Sequence, residues 1–189
     1  KLLRAFRKLL AGAPDLRGKV TLVQVAVPSR ERIPEYERLS KEVSGLVGEV
    51  NGEFGQTDWT PVVYMRRGIG RSELVALYAA ADVGWVTPLR DGMNLVAKEY
   101  VACHRGADGA LLLSEFAGAA AEMGEAFLVN PYDEERTASA LERVLALPVE
   151  DRQDRMAQLY RRVQRNNVFR WAERFLALLE TASRFRAAQ

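Results

Sequence analysis

The sequence predicts an α/β fold built on a mainly parallel sheet, and three observations predict it. Short apolar runs of strand length alternate with longer stretches whose apolar residues recur at helical spacing. One of those runs breaks into a polar, glycine-bearing turn that opens straight into a helical pattern. After Pro131 the pattern is helical throughout. A chain of 189 residues with 48% hydrophobic and 28% charged residues is ordinary usage for one globular domain. Residues 1–189 are therefore read as a single domain, with 133–189 as its helical C-terminal part.

The elements follow in order. Residues 2–10 are apolar at helical spacing and basic elsewhere, a first helix. Residues 20–27 read as a strand, and 31–50 as a long polar helix with Ile33, Tyr36, Leu39, Val43, Leu46, Val47 and Val50 on one side. Residues 61–65 are a second strand, and 71–81 a helix carrying Leu74, Val75, Leu77 and Tyr78. The run 83–87 contains Val, Trp and Thr and reads as a third strand, buried on both faces. From Asn94 a helix is expected until the breaker at Gly106, and 110–114 and 126–129 supply two more strands. Small residues in Ser114-Glu115-Phe116-Ala117-Gly118-Ala119-Ala120 suit a helix starting close against the sheet. Strands separated by helices imply parallel βαβ units with right-handed crossovers.

In the last part Asp133 caps a helix reaching Leu147, which Pro148 stops; 151–166 and 168–185 form two more, broken at Asn166-Asn167. Trp171, Phe175 and Leu179 repeat every four residues. No internal repeat, low-complexity tract or linker divides the chain.

Composition excludes several function classes. Formal net charge is +2, and the basic residues are spread among acids rather than gathered in a stripe interleaved with aromatics, so nucleic acid is not an expected partner. The densest basic stretch, from Arg161 to Arg170, shares its helix with Leu159 and Val163 on the opposite side and reads as a solvated face. One cysteine, Cys103, cannot form an intramolecular disulfide, and one histidine, His104, cannot build a metal cluster alone; both are read as structural. No apolar run approaches the ~20 residues needed to span a bilayer, and no secretory signal is read, so a reducing, cytoplasmic setting is expected. No Gly-x-Gly-x-x-Gly follows the first strand and no P-loop is present, while Gly68-Ile69-Gly70 is too short to count as either. Ser114 lacks the Gly-x-Ser-x-Gly context of a nucleophile.

The informative segment is the turn after the third strand, Thr87-Pro88-Leu89-Arg90-Asp91-Gly92-Met93-Asn94-Leu95-Val96-Ala97-Lys98-Glu99-Tyr100. It lies at the carboxyl end of a strand and the amino end of a helix, where open α/β sheets bind ligands. Free N–H groups and the helix dipole favour phosphate oxygens near Asn94, Leu95 and Val96, and Gly92 lets the backbone come close. An ionised carboxylate at Asp91 only accepts hydrogen bonds and so suits sugar hydroxyls. Glu99 leans back toward the helix mouth and could accept from a ribose diol. A plainer reading stands beside this one: Asp91 caps the turn and Glu99 offsets Lys98 and the dipole. Spacing alone does not choose between them. Arg90 is read as supporting the turn.

The run 87–100 resembles the donor-binding signature of the trehalose-6-phosphate synthase family, retaining glycosyltransferases with two Rossmann-like domains facing each other. Further matches come in the same order: Gln24-Val25-Ala26-Val27-Pro28-Ser29-Arg30, Asn51-Gly52 with Gly55, the segment from Ser114 to Ala120, and Val129-Asn130-Pro131-Tyr132-Asp133. The resemblance covers roughly residues 18–180.

It implies a Rossmann-like parallel sheet with flanking helices, forming the C-terminal, donor-binding half of a two-domain GT-B glycosyltransferase. The activity it implies is transfer of glucose from a nucleotide donor, most often UDP-glucose, to glucose 6-phosphate with retention at the anomeric carbon. No metal or cofactor is implied. Carried over residue by residue, Asp91 is the catalytic, sugar-facing acid, and Asp91, Gly92, Met93, Asn94, Leu95 and Val96 hold the donor sugar and diphosphate. Glu99 binds the ribose, the backbone at Ile69 meets the base, and Arg30 contacts the acceptor phosphate with the planar bonding of a guanidinium.

The partners implied are a nucleotide-sugar donor, a sugar-phosphate acceptor and an N-terminal acceptor domain of the same enzyme, with a homo-oligomer left open. The chain is expected to begin too late to include that domain, or the strand end that supplies an arginine and a lysine to the diphosphate. By itself it is expected to fold, bind nucleotide sugar weakly and turn over little. Other readings stay open: a sibling with another acceptor, such as a glucosylglycerol-phosphate synthase or a validoxylamine-type pseudo-glycosyltransferase, or a non-catalytic sugar-nucleotide sensor.

Overall fold

Strand β4 (Ala110–Ser114) is buried at every position, and the rest of the chain is arranged around it. A computed structural model describes residues 1–28, 34–106 and 108–187. In chain order the other elements are α1 (Leu2–Gly12), β1 (Leu22–Val25), α2 (Pro34–Phe54), β2 (Val62–Met65), α3 (Arg71–Ala80), β3 (Val83–Val86), α4 (Leu95–Cys103), β5 (Phe127–Val129), α5 (Glu134–Leu145), α6 (Val149–Arg165) and α7 (Val168–Ala187). Every strand pairing is parallel, β1 with β2 and β3-β4-β5 in that order. No backbone ladder joins the two sheets among the described residues.

Side-chain alternation along β4 explains why helices lie on both its faces. Ala110 and Leu112 enter one core with Leu3, Phe6, Leu9 and Leu10 of α1 and Leu141 and Val144 of α5. Leu111 and Leu113 enter the other with Ala97, Tyr100 and Val101 of α4 and Met156 and Leu159 of α6. A period of two on a continuous apolar run is what a strand covered on both sides requires. The first core also takes Val62 of β2 and the half-buried Leu22, Val83 and Trp85, so packing ties the two sheets where hydrogen bonds do not.

Helix α1 is oriented by charge as well as by its apolar stripe. Arg4 donates to Glu42 at 3.1 Å and Arg7 to Glu53 at 2.6 Å, both on α2, while Lys8 pairs with Glu135 of α5. Exposed pairs of this kind are worth at most about 1 kcal/mol each, so they set direction more than stability. Asn51 closes the end of β2: its Nδ2 donates to Val62 O at 3.0 Å and its Oδ1 accepts from Val62 N–H at 2.8 Å, a side chain standing in for a neighbouring strand.

Several expectations need correction. The first strand is shorter than 20–27, because β1 has only the four residues of β2 to pair with. The third is not buried on both faces: Gly84 is buried, whereas Val83, Trp85 and Val86 are half-buried, since β3 pairs on one side only. No α-helix begins within residues 114–120; a four-residue 3-10 turn, Gly118–Ala121, forms instead, because the N–H groups of Gly118 and Ala119 donate to Asp91 O at 2.9 Å and Met93 O at 2.7 Å. Helix α5 ends at Leu145, and Pro148 caps the start of α6 rather than only stopping α5. The cap at Asp133 is as expected, accepting from Arg136 N–H at 2.9 Å.

Candidate functional site

The turn after β3 is held as an extension of the sheet. Asp91 N–H donates to Phe116 O at 3.3 Å, and with the two bonds from Gly118 and Ala119 this zips residues 91–93 along 116–119 in parallel. The zip requires a glycine at 118, where a Cβ would stand 2.1 Å from the carbonyl oxygen of Gly92. The small residues of the 114–120 segment thus serve the turn after β3 as well as the core.

Asn94 then makes the transition from turn to helix. Its φ is +72°, a left-handed value that asparagine tolerates better than most residues, and its side chain is nearly buried. Oδ1 accepts from Ala97 N–H at 2.9 Å, which is the N-cap bond, and Nδ2 donates to Asp91 Oδ2 at 3.1 Å. The outward amides of α4 are accordingly those of Leu95 and Val96, which meet no acceptor among the described residues. Lys98, half-buried, anchors the same turn of α4 to Glu122 at 2.9 Å.

Asp91 is held by its own loop. Its Oδ1 accepts Met93 N–H at 2.9 Å, and this bond, followed by that from Asn94 Nδ2, holds the carboxyl below the usual aspartate range. The side chain is therefore ionised at neutral pH and accepts only. A carboxylate offers about four acceptor positions and two are taken, by Met93 N–H and Asn94 Nδ2, so capping the turn and receiving a sugar hydroxyl are compatible.

A shallow groove of about 380 Å³ runs past Arg90, Asp91, Gly92, Glu115, Phe116 and Gly118. Glu99 lies outside it, one helical turn along α4, where Tyr78 of α3 donates to its Oε2 at 3.2 Å. Burial, then the neighbouring charge of Glu99, pushes the Tyr78 phenol up to about 12. The Tyr78 ring meets Tyr100 edge-on at 6.4 Å, and Tyr100 is fixed by a 3.0 Å bond to Ala81 O and by contact with Gly84, where a Cβ would stand 2.6 Å from its ring.

Ile69 is half-buried immediately before α3, in a loop spanned by a two-point clasp from Arg67 to Glu73. Arg30 lies outside the described residues. Val27 and Pro28 before it border a second cavity of about 380 Å³ between α1, α2 and the ends of β1 and β2. The remaining readings are placed plainly. His104 is buried, its Nδ1 and Nε2 at 2.9 and 3.2 Å from the carbonyls of Tyr100 and Ala81, and Cys103 is a free thiol raised by burial. Arg161, Arg162 and Arg165 are exposed while Leu159 is buried beneath them. Among the described residues no helix is long and apolar enough to cross a membrane, and no three His, Cys, Asp or Glu side chains converge as metal ligands would.

Two features escaped sequence reasoning: the hydroxyl of Tyr78 on Glu99, and the closure of Gly118 on Gly92. The first carried no signal, because a tyrosine at helical spacing reads as core. For the second, the Phe116-Ala117-Gly118 motif was a signal of close packing, but nothing in it said against what.

Parallel βαβ units that present a glycine turn and two open helix amides at a strand end define a Rossmann-like α/β domain with a ligand-binding strand end. The chain belongs to glycosyltransferase family 20, whose family model matches residues 1–181. It is similar to the trehalose-6-phosphate synthase of Mycobacterium avium (strain 104), 50% identical over 183 residues that make up 96% of this chain and 37% of that protein. Among solved structures it resembles an alpha,alpha-trehalose-phosphate synthase (UDP-forming) from Burkholderia xenovorans in complex with glucose-6-phosphate, with a TM-score of 0.89, 43% identity, and coverage of 93% of this chain and 38% of that one. It also resembles the E. coli protein bound with UDP-2-fluoro glucose, with a TM-score of 0.90, 40% identity, and coverage of 94% and 40%. The chain spans about two fifths of the length of these relatives.

Proposed function

We propose that this chain is the nucleotide-sugar-binding domain of a retaining glucosyltransferase that makes trehalose 6-phosphate from UDP-glucose and glucose 6-phosphate. The observation that carries the reading is the zipped turn, which puts an ionised, acceptor-only Asp91 beside the open amides of Leu95 and Val96. Family membership and the glucose-6-phosphate and UDP-2-fluoro glucose bound in the solved relatives support it.

In this reading Asp91 accepts from a hydroxyl of the donor glucose and orients the ring, with Gly92 and Met93 lining its approach. The Leu95 and Val96 amides, with the dipole of α4, stabilise the charge that gathers on the diphosphate as the anomeric C–O bond breaks. The acceptor hydroxyl forms the new bond on the same face, and its proton leaves with the diphosphate. Glu99 accepts from the ribose, the backbone at Ile69 meets the base and Arg30 holds the acceptor phosphate. Holding both substrates together removes several kcal/mol of entropic barrier, so much of the catalysis is positioning. The acceptor side is supplied by the rest of a longer cytoplasmic protein, and the reaction calls on no metal.

The test separates the two acids by calorimetry with two probes in the full-length protein. Asp91→Ala is expected to weaken UDP-glucose more than UDP, because the sugar contact is lost in addition to the turn bonds from Met93 and Asn94 that help place the diphosphate amides. Glu99→Ala is expected to weaken both by about tenfold, the scale of one hydrogen bond to a charged group. Unchanged affinities in both variants would sink the assignment.

A further inference from the structure

Glu99 is an exposed glutamate on a helix, a side chain that ordinarily samples many rotamers, yet its carboxylate is tied. The tie comes from Tyr78, on a different helix, and the phenol is itself braced: its ring stands at 86° against Tyr100, which is nearly fully buried and hydrogen-bonded to Ala81 O. Among the described residues no donor takes the second oxygen of Glu99, Oε1. The raised pKa of Tyr78 keeps its proton in place across the physiological range, so it donates and Glu99 accepts.

We propose that Tyr78 is a positioning residue for Glu99, fixing the carboxylate so that Oε1 is presented to a ribose hydroxyl before the nucleotide arrives. The inference rests on the reading of Glu99 as the ribose acceptor and deepens it by naming what orders that acceptor. An unheld glutamate loses rotamer freedom when ligand binds, and this cost subtracts from affinity; a glutamate already held has little left to lose. Tyr78 touches no ligand in this scheme. Its loss is felt only by ligands that use Glu99.

The experiment compares UDP with 2′,3′-dideoxy-UDP by calorimetry in the full-length protein, using Tyr78→Phe, which keeps the ring and its contact with Tyr100, and Glu99→Gln and Glu99→Ala as the references. Tyr78→Phe is expected to weaken UDP about two- to tenfold, the range set by one immobilised side chain, and to leave the dideoxy analogue unchanged. Equal weakening of both probes would mean that Tyr78 only packs α3 against α4, and would overturn the inference. If Glu99→Gln erases the preference for UDP while Tyr78→Phe leaves UDP untouched, the inference falls and the ribose reading stands. If Glu99→Ala, which removes the acceptor altogether, leaves the preference intact, the ribose reading falls and the inference with it.

Discussion

The two sheets are built from similar sequence and end in different surroundings. In β4, Leu111, Leu112 and Leu113 are all at 0% exposure, whereas across the β1–β2 pair the facing residues Val23 and Val63 are 46% and 39% exposed. Both stretches are short, apolar and parallel. The difference lies in what flanks them: β4 has strands on either side and helices on both faces, while β1 and β2 have one partner each and one covered face. Burial of a strand is thus a property of its neighbours, and an apolar run reports only that burial is permitted.

The largest effect should come from testing that contrast directly. Leu112→Ala is expected to cost about 3 kcal/mol, within the 2–5 range for a buried leucine, because no neighbour in β4 can close the cavity. Val63→Ala should cost less than about 1 kcal/mol, since the methyl groups removed are already half in water. Urea midpoints of the two variants decide it, and equal shifts would show that the β1–β2 face is covered after all.

The same contrast explains how much could be read beforehand. Element types were legible wherever local chemistry sets them: Asp133 capping α5, the Asn166-Asn167 break before α7, and the five strands themselves. What failed depended on contacts distant in sequence. The short 3-10 turn at Gly118–Ala121 replaced an expected helix because its first donors are claimed by residues some 26 positions earlier. The half-burial of Trp85 depended on β3 being paired on one side only. In the candidate site, the strand-to-helix turn and the cap at Asn94 were readable from residue type, while the zip that shapes the turn and the phenol that holds Glu99 were not, because a glycine and a tyrosine carry no label for their partners.

A sharper cut comes within the site. Gly118→Ala sets a Cβ against the backbone of Gly92, which has no flexible end to move aside, so the zip must open by an ångström or so. The expected cost is about 1–3 kcal/mol of stability, as for an overpacked core, together with weaker UDP-glucose binding. Gly92→Ala meets nothing within 4 Å and serves as the control for stability alone, since Gly92 itself lines the proposed donor approach. Thermal melts of the two, with calorimetry on UDP-glucose, check both halves; a Gly118→Ala protein that melts and binds as the parent does would remove the zip from the account.

The smallest effect should have the opposite sign, and it belongs to the less covered half. Gly48 lies in the interior of α2 on its exposed side, and a Cβ there would meet nothing within 4 Å. A glycine in a helix interior costs about 0.5–1 kcal/mol relative to alanine, chiefly through the freedom it has in the unfolded chain. Gly48→Ala is therefore expected to stabilise by that amount, raising the urea midpoint without changing its slope. The sign follows from coverage alone: where a neighbour stands against the glycine, as Gly92 stands against Gly118, the added methyl must push; where water stands there, the methyl only restricts the unfolded chain. A destabilised Gly48→Ala would mean that the exposed side of α2 packs against something in solution, and the division between a covered and an uncovered half would have to be redrawn.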